Sequence, residues 1–164
     1  GMASAAKKAT RATRQGMIGS YVHAGAQLGV LVEVNCESDF VARNEEFQQL
    51  VHDVAMQIAA ADPQFIRKDE VTDDVLNRER EIQRDRARNE GKPEAVLDKI
   101  VEGRMGKFFE EICLLEQPFI KDNSLTIGQL ISNAVLKLGE NITVARFTRY
   151  TVGETQSAEA EAAE

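Results

Sequence analysis

A chain of 164 residues, 43% of them apolar and 29% charged, can hold one compact domain of ordinary size with a helical excursion or a tail. Its formal charge of −7 argues against a general nucleic-acid binder, which needs a surplus of Lys and Arg to replace counterions. No apolar run approaches the roughly 18–20 residues that a bilayer span requires, so no membrane association is expected.

Residues 1–16 are small and basic, with Lys7, Lys8, Arg11 and Arg14 and no acid. They read as a solvated lead-in, the last turn of a helix stopped at Gly16, and Gly1 before Met2 reads as the remnant of a cleaved tag. Residues 17–23 and 28–36 are rich in β-branched side chains, and the Gly-containing stretch between them predicts a hairpin. Alternation in the second strand sets Leu28, Val30, Val32, Val34 and Cys36 on one covered face. A helix is predicted from about Ser38 to Ala61, where Phe47, Leu50, Val51, Val54, Ala55 and Ile58 form a stripe at helical spacing. Asp62-Pro63 ends it, because the residue before a proline is pushed out of the helical region.

Residues 72–90 are crowded with charge and predict a thin, solvated helix. Gly91-Lys92-Pro93 then turns the chain, with Pro93 as a first helical residue. Val96, Leu97, Ile100 and Val101 open a second helix that continues through Phe108, Phe109, Ile112 and Leu115. Residues 72–115 are thus expected to form an antiparallel helical hairpin. Thr126 and Gln129 have capping-box spacing, and Ile127, Leu130, Ile131, Ala134, Val135 and Leu138 follow as another stripe ended by Gly139. Residues 141–152 read as a final strand able to pair with the first hairpin. The expected organisation is a lead-in at 1–16, an α+β core at 17–152 with a small antiparallel sheet covered by helices, and a disordered acidic tail at 153–164.

Nothing in this order resembles the working parts of an enzyme. Gly103 to Lys107 has glycines and a lysine, but it is too short for a phosphate loop and lies in a helical pattern. Cys36 and Cys113 read as buried free thiols, and zinc is disfavoured because His23 and His52 stand at no ligand spacing from either. No catalytic residue, metal or cofactor is expected. The informative place is the strand-to-helix junction around Ser38, Asp39, Phe40 and Val41. Phe40 lies seven residues before Phe47, yet Arg43 and Asn44 interrupt that face. Either Phe40 and Val41 project at the tip of the domain as a partner anchor, or Phe40 staples the helix start onto the hairpin.

The run HAGAQLGVLVEVNCESDFVARNEEF, residues 23–47, resembles the signature region of the translation elongation factor Ts family. The blocks FFEEICLLEQPF at 108–119 and LGENITV at 138–144 resemble family blocks in the family's order, and the likeness runs from about Lys7 to Gly153. The resemblance implies a guanine-nucleotide exchange factor for elongation factor Tu in its GDP-bound or nucleotide-free form. It further implies that Ser38, Asp39, Phe40 and Val41 correspond to the Thr-Asp-Phe-Val element that enters between two helices of that partner and disturbs its Mg²⁺ and phosphate site. Serine replaces threonine here but keeps the hydroxyl and its capping ability. The chain is similar to the short form of the family, which acts as a homodimer, without the small helical module with which members begin. A bacterial cytoplasm, or an organelle after loss of a transit peptide, is implied as the location. The alternative function is a helical-hairpin adaptor that docks through residues 72–115 and exchanges nothing.

Overall fold

The computed structural model describes residues 2–156. Strands β1 (Gln15–Val22), β2 (Leu28–Cys36) and β5 (Thr143–Thr151) form an antiparallel sheet in the order β1-β2-β5. The first two are the predicted hairpin, with Gly19 opposite Val32, and the last strand of the sequence lies on the other side of β2. Gly16 therefore lies inside β1 and does not stop a helix. The lead-in helix α1 (Met2–Lys8) has already ended.

Alternation does what it predicted in β2: Val30, Val32, Val34 and Cys36 are buried on one face. Helix α3 (Glu45–Ala61) lays its stripe against them, and Phe47, Val51, Val54, Ala55 and Ile58 are fully enclosed. Strand and helix approach very closely at Gly19, where a Cβ would stand 2.4 Å from Val51 Cγ1. Only glycine fits that contact. The helix ends as expected before Pro63, with Asp62 as its cap in the left-handed region at φ 46°.

Helix α6 (Ile127–Leu138) completes the cover, burying Ile127, Ile131 and Val135 while Leu130 and Ala134 stay half-buried. Its capping box is formed, with Thr126 Oγ1 accepting from the Gln129 amide and Gln129 Oε1 accepting from the Thr126 amide. Gly139 closes the helix at φ 77°. Before it, β3 (Pro118–Phe119) and β4 (Asp122–Thr126) make a small second hairpin that the sequence reading did not anticipate. The buried Gln57 side chain holds this hairpin to α3, donating to Pro118 O at 3.1 Å and accepting from the Ile120 amide at 2.9 Å.

Between α3 and that hairpin the chain leaves the body as an arm. Helix α4 (Asp73–Asn89), capped by Thr72, runs out, and α5 (Leu97–Ile112) runs back. Pro93 caps a short 3-10 turn, Glu94–Val96, so it stands one position before the first helical residue. Arg80 meets Glu102 at 3.2 Å, Arg88 meets Glu94 at 2.7 Å, and Arg84 pairs with Asp98, which fixes the two helices antiparallel. A small core of Ala87, Leu97, Val101 and Met105 is buried within the arm. Its entry and exit lie side by side: Phe65 and Cys113 form a parallel bridge, and the Leu115 amide donates to Ile66 O at 3.1 Å. The expected tail keeps helical backbone at 154–156, and its remainder lies outside the described residues.

Candidate partner-binding tip

The predicted single helix from Ser38 is two helices. A four-residue turn, α2 (Asp39–Ala42), is capped by Ser38, whose Oγ accepts from the Val41 amide at 3.3 Å. Asn44 then caps α3, with Oδ1 accepting from the Glu46 amide at 2.8 Å and the Phe47 amide at 3.4 Å. This second cap starts α3 afresh, because Asn44 at φ −71° and ψ 136° is extended. Phe40 and Phe47 therefore do not share a continuous helix face.

The break separates the four expected tip residues. Phe40 projects into solvent with 75% of its surface exposed. Val41, which the projecting reading places beside it, turns inward and is 5% exposed, part of the main core. Successive residues of a helical turn point about 100° apart, which lets Phe40 face solvent while its neighbour Val41 faces the core. The staple reading has no counterpart in so exposed a Phe40. Asp39 and Arg43 form an exposed ion pair at 3.4 Å, which adds little by itself.

Four residues of helix are too few to hold their own position. The support comes from Glu140, just past Gly139 at the end of α6. Its Oε1 accepts from the Glu37 amide at 3.1 Å and the Ser38 amide at 3.0 Å, and its Oε2 accepts from Ser38 Oγ at 2.6 Å. Glu37 returns the contact, its Oε2 accepting from the Asn141 amide at 2.6 Å and facing Arg11 at 3.6 Å. Asn141 in turn donates to Ala9 O and Arg11 O, so the basic lead-in is tied to the same junction. Beneath the tip, the buried Cys36 thiol donates to Ser38 O at 3.2 Å. Burial pushes its pKa up, and the Glu140 and Glu37 carboxylates push the same way. Sequence reading missed Glu140, Glu37 and Asn141 as supports. The one local signal was an acid directly after a helix-ending glycine.

The arrangement can present an aromatic side chain on a braced loop. Among the described residues no group of three or more His, Cys, Asp or Glu could hold a metal ion. His23 and His52 are both exposed, His23 Nδ1 lying 2.9 Å from Tyr21 Oη.

Fold and tip together define an α+β protein with a charged helical arm and one projecting, supported phenylalanine. Residues 4–154 match the family model described as Elongation factor TS. Elongation factor Ts of Solibacter usitatus is 65% identical over 159 residues, covering 97% of this chain and 75% of that protein. The proteins of the same name from Koribacter versatilis and Geobacter metallireducens are 60% and 55% identical over 154 residues, covering 94% of this chain and 70% and 71% of theirs. The chain belongs to the elongation factor Ts family.

Proposed function

We propose that this protein is a guanine-nucleotide exchange factor for elongation factor Tu, working in the bacterial cytoplasm during translation elongation. Phe40 is the anchor: it enters an apolar pocket between two helices of the partner's nucleotide domain, while Ser38 and Asp39 make polar contacts at the rim. Val41 supports the turn from below. The displacement disturbs the partner's Mg²⁺, which demands near-octahedral geometry and tolerates little movement of its surroundings. GDP then leaves. Burial of one Phe contributes about 1.5–3 kcal/mol, comparable to the ~1–3 kcal/mol that typically couples two sites. By reciprocity, nucleotide weakens the factor's own hold, so it can depart when GTP arrives.

The observation that carries this reading is the contrast at the tip, an exposed Phe40 beside a buried Val41. Phe40→Ala should slow stimulated release of fluorescent GDP from elongation factor Tu by about tenfold or more, a tenfold change being about 1.4 kcal/mol. Its melting temperature should stay at the wild-type value. Release at the wild-type rate would remove the exchange mechanism and leave the docking-arm reading.

The same proposal includes a homodimer through the outer face of the sheet. Ile18 and Leu31 are 56% and 51% exposed there, beside the Glu33–Arg146 pair at 2.8 Å. A two-fold interface must complement itself, and a face carrying an apolar strip with both charge signs can do so. Light scattering over a concentration series tests it, and a constant monomer mass would sink it.

A further inference from the structure

We infer that Glu140 is the positioning residue of the tip, setting the direction in which Phe40 points; this rests on the reading of Phe40 as the anchor that enters the partner. The tip has few means of orienting itself. Helix α2 is a single turn, Phe40 is largely exposed, and the ion pair between Asp39 and Arg43 is exposed. Val41 and the half-buried Ala42 fasten the turn to the core but set its direction only loosely, because hydrophobic contact is not directional.

Direction is supplied by hydrogen bonds, and three of them converge on one carboxylate. Two backbone amides in sequence, those of Glu37 and Ser38, fix the plane of the loop against Glu140 Oε1. The Ser38 hydroxyl, held to Oε2 at 2.6 Å, presents its remaining lone pairs to the first turn and accepts from the Val41 amide. One side chain thus locks both the approach to the helix and its cap. Charge-assisted bonds of this kind are the short and strong ones.

The anchor point is also independent of the tip. Glu140 follows the left-handed Gly139 that closes α6, and α6 is anchored in the main core through Ile131 and Val135. The carboxylate therefore reports the position of the body to a loop 102 residues earlier in the chain. The Asn141 amide, next in sequence, bonds Glu37 in return, so the junction is clamped from both sides.

A four-variant cycle tests this with the 164-residue chain and elongation factor Tu loaded with fluorescent GDP. Release is followed against factor concentration for wild type, Glu140→Ala, Phe40→Ala and the double variant, each at a temperature where circular dichroism shows it folded. Glu140→Ala is expected to lower the maximal release rate about tenfold, because a misdirected Phe40 forfeits much of the burial that drives the exchange. In the double variant the two losses should combine to clearly less than their product, since most of what Glu140 directs is the side chain that is already absent. Glu140→Gln should recover most of the rate, as its amide oxygen still accepts from both backbone amides. If Glu140→Ala does not fold, Glu140→Asp takes its place in the same cycle, its shorter side chain drawing the carboxylate away from the loop, with an expected loss of about threefold.

A wild-type rate for Glu140→Ala beside an impaired Phe40→Ala would overturn the inference and leave the anchor reading standing. So would losses that multiply in the double variant, or a Glu140→Gln as slow as Glu140→Ala. A wild-type rate for Phe40→Ala would remove both.

Discussion

The body and the arm are held together by different forces. In the body, aliphatic side chains from β2, α3 and α6 enclose Phe47, and the ion pairs lie at the margins. In the arm, a short row of buried residues is flanked by pairs such as Arg80–Glu102 and Arg88–Glu94, whose side chains stay substantially in water. Burial of apolar surface is not weakened by moderate salt or mild acid, whereas exposed ion pairs are weakened by both. One chain therefore carries a region built to hold shape and a region whose shape depends on the solution around it.

The largest effect should come from the centre of the body. Phe47→Ala should destabilise the protein by about 3–5 kcal/mol, read from denaturant unfolding. A cost near that of a surface substitution would show that the body is not one packed unit. Leu97→Ala in the arm should cost less, about 2–3 kcal/mol, since a two-helix core can collapse around the gap. Hydrogen exchange should show its loss of protection in α4 and α5 and leave α3 protected. Equal loss in both would mean that arm and body open together.

Acid should act on the arm next. The hydrogen bond from Arg88 holds the Glu94 carboxyl below its ordinary value of 4.5, and Arg104 does the same for Glu90. The unfolded arm therefore takes up protons first as pH falls. The stabilisation is fully present above 4.5 and is lost as the pH drops through the lower folded values. Exchange protection measured across that range should fall in residues 73–112 before it falls in α3. The smallest effect is expected from Arg80→Ala, whose pair with Glu102 is well exposed. It should shift the melting temperature by no more than about 2 °C at low salt and by nothing measurable at high salt.

The helices of the body were legible because their stripes keep a 3.6-residue period through 47–58 and 127–138. β2 was legible because alternation keeps a period of two. The tip was legible only as a place. Asn44 resets the helix, so the phase carried back from Phe47 put Phe40 on the core side, and the polar break at Arg43 and Asn44 did not tell Phe40 from Val41; a cap is a local event that periodicity averages away. The β3–β4 hairpin escaped because its strands are short and Lys121 to Ser124 are polar, leaving no alternation to read. Glu140 was invisible as a support because its bonds span more than a hundred positions, and no local pattern encodes a contact at that range.

The side-by-side entry and exit of the arm have a consequence for the architecture as an object of change. Because Ile66 and Leu115 are already joined by a hydrogen bond, the body meets the arm as a closed gate and not as a gap to be spanned. Closing a loop there costs little more for a long excursion than for a short one, since each doubling of a flexible loop adds only about 0.6 kcal/mol. The arm behaves as a cartridge: turns of helix can be added, trimmed or exchanged at its far end, near Gly91, without asking the sheet, α3 or α6 to move.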